Sequence, residues 1–230
     1  MTANHTHALE IRNLRFRYPG AQQDTVDIPQ LTVSRGERIL LTGASGRGKS
    51  TLLQLIAGLM DPDSGTILVD GQDVHALRGA KRDLFRGSKI GMVFQTLNLL
   101  QGFTAAENVM AALLFSDAPK REHRSRADEL LETLGIDRPD SEVTELSIGQ
   151  QQRVAVARAA ATRPAVILAD EPTASLDPDA ADEAMNLVQH ACDSVGAALV
   201  CTSHDPTMAE RFERRESLDA LASGAIRLGA

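Results

Sequence analysis

Apolar positions along the chain fall into two rhythms, unbroken short runs and helix-spaced stripes. Four runs stand out: RILLT (38–42) before GASGRGKS (43–50), KIGMVF (89–94) before Gln95, AVILA (165–169) before Asp170, and AALVCT (197–202) just short of His204. Runs of Val, Ile and Leu with no polar alternation mark strands buried on both faces, and the helical patterns between them predict a parallel sheet. Each run ends at a polar group. Ligands of such sheets bind beyond the carboxyl ends of the strands, so the four polar groups are expected to converge on one site.

Other stretches keep different rhythms. Residues 9–40 and 65–74 read as short strands with turns at Pro19-Gly20 and Asp70-Gly71, which predicts an antiparallel sheet beside the main core. After the glycine loop, Leu52, Leu55, Ile56 and Leu59 share one helical face. From 96 to 160 the pattern is mostly helical: Thr104 and Glu107 form a capping box before NVMAALLF, and RADELLETLGI follows. The predicted class is α/β: one domain, 1–230, with a core and β subdomain in 1–95 and 161–230 and a helical subdomain inserted at 96–160. The basic run PKREHRSR (119–126) reads as a solvated helix face.

Composition narrows the partners. With 230 residues and 43% apolar content the chain can bury a sizeable core. Its 31 acidic and 24 basic residues, net charge −7, give no drive towards nucleic acid. No window approaches the ~20 uninterrupted apolar residues of a membrane span, and the first residues lack a leader pattern, so a cytosolic protein is expected. Cys192 and Cys201 are expected to be reduced packing residues. His5, His7, His75, His123 and His190 have no placement that suggests chemistry and are assigned to surface or packing.

Gly43, Gly48, Lys49 and Ser50 fill G-x-x-x-x-G-K-[ST]. Glycines there let backbone N–H groups wrap phosphate oxygens, the lysine reaches the β and γ phosphates, and the serine can ligate magnesium. Ala44, Ser45, Gly46, Arg47 and Thr51 complete the predicted cradle. Arg47 is an odd occupant, a long cation able to compete for the phosphates or to cover them. A phosphate loop also needs a metal-holding carboxylate and a group that orients water. Asp170, at the end of a buried strand, suits Mg²⁺, and Glu171 beside it suits polarising water. Alone, that acidic pair is better explained by a solvated loop; with the phosphate loop present, the site reading is favoured. Gln95 and His204, at the ends of two other runs, can touch metal or water and the γ-phosphate respectively.

LSIGQQQR (146–153) is a second anion-binding candidate. Ser147 and Gln150 make an S-x-x-Q box at a helix start, where free N–H groups and the dipole attract an anion. Capping explains Ser147 and Gln150 but not Gly149, whose missing side chain lets a phosphate approach the backbone. Since the sheet already has a phosphate loop, this turn makes sense as serving another copy of the chain.

With these motifs in order, the sequence resembles the nucleotide-binding subunit of ATP-binding cassette transporters over nearly its whole length. The marks are Tyr18, GASGRGKS, Gln95 in VFQ, LSIGQQQR, ILADEPTASLD and SHD. GMVFQTLNLLQGFTAAENV looks most like the lipoprotein-release and macrolide-export branch. The resemblance implies a P-loop NTPase core and adenine stacked on Tyr18. It also implies a head-to-tail dimer with two ATP molecules, each between one phosphate loop and the other chain's signature turn. Gln95 and the helical lobe would couple to membrane permease subunits, placing the protein at the inner face of the cell membrane. Asp177 reads as a helix cap before Pro178, and the family adds a contact across the dimer. The signature normally reads LSGGQ. Ile148 replaces its first glycine and Arg47 a small residue, so altered closure of a working site is expected.

The expected function is an ATPase that drives a separate membrane protein. The alternative is a mechanical signalling ATPase that pulls on its partner without moving substrate. A chromosome-maintenance ATPase would need a long coiled-coil insertion, and a kinase or GTPase would leave the turn at 147–150 unexplained.

Overall fold

A computed structural model describes residues 6–44, 46–174 and 176–222; His5 and Ser45 lie outside them. The chain opens with β1 (His7–Phe16), β2 (Val26–Ser34), β3 (Arg38–Thr42), α1 (Lys49–Ile56), β4 (Ser64–Val69) and β5 (Gln72–Asp73). Then come α2 (Ala80–Lys89), β6 (Ile90–Val93), α3 (Ala105–Leu113), α4 (His123–Thr133) and α5 (Ile148–Ala160). It continues through β7 (Val166–Asp170), α6 (Pro178–Val195), β8 (Ala198–Thr202), β9 (Arg214–Ser217) and α7 (Leu218–Ala222). One sheet, β2-β1-β4-β5, is antiparallel; the other, β6-β7-β8-β3-β9, is parallel throughout.

The unbroken apolar runs are explained by what covers the parallel sheet. Alternate residues Ile39, Leu41, Val166, Leu168, Ala198 and Val200 pack with α1 and the antiparallel sheet. The intervening Leu40, Ile167, Ala169, Leu199 and Cys201 pack with α3, α5 and α6. Successive side chains of a strand point to opposite faces, so burial on both sides leaves no polar position. Each fully buried Leu or Val contributes ~1.5–3 kcal/mol.

Helix starts follow the capping chemistry. Thr104 Oγ1 accepts from the Glu107 N–H (3.2 Å) while Glu107 Oε2 accepts from the Thr104 N–H (2.8 Å), opening α3. Asp177 Oδ1 accepts from the Ala180 N–H (3.0 Å) with Pro178 in the first turn of α6. The basic run is solvated at Lys120, Arg121 and Arg124, but His123 turns inward and its Nε2 meets the Ala118 carbonyl at 2.9 Å. Both cysteines are free and buried, and burial pushes the Cys192 thiol up to about 12.

One apolar assignment is corrected. Helix α1 stops at Ile56, and Gly58 in the left-handed region (φ 66°) turns the chain, so Leu59 leaves the helical face and stands 49% exposed. Sequence patterning also missed α2, β9 and α7. No residue of α2 is fully buried and β9 reads Arg-Arg-Glu-Ser, so neither carries an apolar period.

Strand β6 runs close under α5. A Cβ on Gly91 would lie 2.2 Å from the Ala159 carbonyl oxygen. Gly91→Ala is therefore expected to destabilise the fold by ~1–3 kcal/mol through overpacking. Chemical denaturation checks this, and an unchanged midpoint would mean that α5 can shift without cost.

Candidate active site

Strand β3 delivers Gly43 to the edge of the sheet, and α1 starts at Lys49. Between them Gly48 has φ 90°, and a Cβ there would sit 2.5 Å from the Thr25 carbonyl oxygen, so the turn excludes any other residue on two counts. No side chain of the described residues caps α1, which leaves its first N–H groups for an anion. Lys49 is buried. Its Nζ donates to the carbonyls of Gly43 (2.8 Å) and Ala44 (3.3 Å) and lies 3.7 Å from Glu171 Oε1. Gly46 holds φ 77°.

Strands β7 and β8 bring the remaining polar groups to the same edge. Ser50 Oγ donates to Asp170 Oδ1 at 3.1 Å, and Thr202 Oγ1 donates to that oxygen at 2.8 Å. The Glu171 N–H donates to Thr202 Oγ1 at 3.1 Å. Glu171 itself sits at φ 45°, a left-handed conformation that costs a non-glycine residue ~1–3 kcal/mol and clusters at functional sites. Its Oε2 lies 2.6 Å from His204 Nδ1, while its Oε1 faces Lys49. Thr202 thus fixes both acids. It was missed because AALVCT reads as an apolar run up to His204, although a hydroxyl at a strand end beside Asp170 was the available signal.

Gln95 stands exposed two residues beyond Val93, which pairs with Ala169. It lies at the same edge as Asp170. Ser50 and Asp170 offer hard oxygen ligands of the kind Mg²⁺ takes. Among the described residues no cluster of three or more His, Cys, Asp or Glu forms, and Mg²⁺ needs none when phosphates and waters complete its shell.

Tyr18 lies in the turn after β1, 42% exposed. Its hydroxyl is 3.1 Å from Thr51 Oγ1, and its ring meets Phe16 edge-on, centroids 4.9 Å apart at 86°. Edge contact leaves a ring face open to a base. On the helical side, Ser147 Oγ accepts from the Gln150 N–H (3.3 Å) and Gln150 Oε1 from the Ser147 N–H (3.0 Å), the reciprocal box that starts α5. Nothing lies within 4 Å of a Cβ built on Gly149, and Ile148 is 71% exposed. Among the described residues no hydrogen bond joins this turn to the chain's own phosphate loop.

The Arg47 guanidinium lies 3.8 Å from Asp219 of α7 and lines a cleft with Asp24 and Asp27. An exposed pair at that distance is worth ~0–1 kcal/mol, enough to bias the side chain but not to lock it.

Comparison with known proteins gives the family. Residues 26–174 match the ABC transporter family. The chain is 39% identical over 217 residues to the lipoprotein-releasing system ATP-binding protein LolD 1 of Caulobacter vibrioides, covering 93% of each. It is 42% identical over 195 residues to LolD 2 of Rhodopseudomonas palustris, covering 84% of each. Its fold is similar to the ATP-binding cassette MJ0796, solved as a dimer in a post-hydrolysis state with ADP and Pi, at a TM-score of 0.78, 33% identity and coverage of 91% and 93%. The family match over residues 26–174 and these relatives show that the chain belongs to the ABC transporter family, as an ATP-binding, ATP-hydrolysing subunit.

Proposed function

We propose that two copies of this chain close head to tail over two ATP molecules, each held between one copy's phosphate loop and the other's turn at Ser147, Gly149 and Gln150. Glu171 is the observation that carries the reading, with its strained backbone and its carboxylate set between Lys49 and His204. Lys49 and the amides of residues 43–50, Ser45 and Arg47 among them, neutralise phosphate charge, and Tyr18 stacks on the adenine. Ser50, Gln95 and Asp170 hold Mg²⁺, which when bound draws charge from the phosphate oxygens. Glu171 takes a proton from the water that attacks the γ-phosphorus as the bond to the bridging oxygen of ADP breaks. His204 steadies Glu171 and donates to the γ-phosphate. Asp177 adds a contact across the seam.

Residues 96–160 form the lobe that carries the signature turn, and the rest forms the core. An apolar groove of about 320 Å³, lined by Leu59, Phe94, Ala112, Phe115 and Arg158, offers the docking surface for a permease segment. Leu84, Leu100, Phe103 and Leu114 are exposed large apolar residues of the same stretch of chain. Among the described residues no helix is long and apolar enough to cross a membrane. The protein then sits at the inner face of the cell membrane through that partner. The relatives named for lipoprotein release support placing it in that branch, driving translocation by its permease.

Glu171→Gln is expected to retain ATP binding and to lower turnover ~10²–10⁴-fold, the range of general-base catalysis. Binding and steady-state hydrolysis measured together check this; parental turnover would remove Glu171 from the role. Tyr18→Ala is expected to weaken ATP binding by ~1–3 kcal/mol, as loss of aromatic stacking does, and titration calorimetry reads the difference. The shared site is tested by mixing two inactive variants, Lys49→Ala and Ser147→Arg. One composite site should then occlude ATP above the level of either variant alone. Mixed dimers confirmed by cross-linking that occlude nothing would rule out sharing.

A further inference from the structure

Arg158 lies in the last turn of α5 and is half-buried, yet no carboxylate of the described residues pairs with it; its partial burial pushes its pKa below the usual arginine value. What it holds is backbone. Nη1 donates to the Asn98 carbonyl at 2.5 Å and Nη2 to the Leu97 carbonyl at 2.7 Å. Both of those residues are in the left-handed region, Leu97 at φ 56° and Asn98 at φ 49°, two consecutive non-glycine outliers directly after Gln95 and Thr96. The N–H of Leu97 reaches back to Phe94 (3.1 Å) and that of Asn98 to Thr96 (2.6 Å), so the segment is a tight reversal. Beyond it, the buried Asn108 of α3 pins the next stretch through both N–H and carbonyl of Leu100. Inside the reversal Thr96 Oγ1 donates to Asn98 Oδ1 at 2.9 Å; among the described residues the side chain that anchors its middle from another element is Arg158 of α5.

We propose that Arg158 is a positioning residue for Gln95. A forked, planar donor meets two carbonyls whose lone pairs the tight reversal turns towards α5, a task that a single ammonium cannot perform in full. The same helix holds the other side of the site: Gln152 Nε2, buried, donates to the carbonyl of Pro172 at 3.3 Å, one residue past Glu171. Helix α5 begins at the signature turn and carries Arg158 in its last turn, a rigid element of 13 residues in which Ile148 and Arg158 lie ~15 Å apart along the axis. Resting on the proposed role of that turn, the inference is that a copy's signature helix, engaged by its partner's nucleotide, sets the position of its own Gln95.

The test uses the full-length chain carrying Arg158→Met or Arg158→Lys, with Gln95→Ala in parallel. Arg158→Met should speed amide hydrogen exchange in residues 95–98 but not in 100–108. It should also raise the Mg²⁺ concentration for half-maximal turnover ~10–100-fold, the effect of losing an outer-shell partner, while ATP affinity without Mg²⁺ stays at the parental value. Arg158→Lys should recover part of both effects. If Gln95→Ala itself shows parental Mg²⁺ dependence, the reading of Gln95 as a metal-side residue fails. If Gln95→Ala shifts and Arg158→Met does not, the inference about Arg158 is overturned. A loss of thermal stability and of ATP affinity together, with exchange raised throughout α5, would equally overturn it by reducing Arg158 to a packing role.

Discussion

Burial of the parallel sheet on both faces is the constraint from which the site follows. Strands β6, β7, β8 and β3 have no solvent face on which to place polar groups, so each can present chemistry only where it ends. Because they run parallel, those ends fall along one edge, and Gln95, Asp170, Thr202 and Gly43 arrive there from distant parts of the sequence. The register β3 to β8 and β8 to β7 then decides which groups meet. Leu41 and Asp170 both pair with Thr202, so the loop after β3 and the acid at the end of β7 flank one hydroxyl.

A second order comes from α5. Its small buried residues, Ala155, Ala157, Ala159 and Ala160, let it lie close to β6, where Gly91 removes the last obstacle. That proximity lets polar side chains on the helix reach backbone carbonyls beside the acidic edge instead of filling space. The helix is thus a frame for the site and not only a cover for the sheet.

Much of this was legible in the sequence where local chemistry and tertiary environment agree. The four runs, the two capping boxes at Thr104 and Ser147 and the Asp177-Pro178 start all act over a few residues, and the structure places them as read. Features set by partners far along the chain were not legible. Leu59 fits a helical stripe, but Gly58 breaks the helix first. Arg47 sits in the phosphate loop by sequence, and its contact with Asp219, on a five-residue helix with little pattern of its own, could not be read from spacing. Arg158 and Thr202 act on carbonyls and carboxylates of other elements, and no spacing rule encodes such pairings.

The strand order also dictates when the site can exist during synthesis. Strand β3, which carries the phosphate loop, is flanked by β8 and β9, which follow it by about 155 and about 170 residues. At ~5–20 residues per second the ribosome delivers those neighbours ~8–30 s after β3 has formed. Until then β3 has two unpaired edges and its loop no acidic partner. The antiparallel sheet, complete by Asp73, can assemble early and shield only one face. During synthesis the phosphate loop is thus made long before the neighbours that complete its site, and the strand carrying it keeps unpaired edges over that interval.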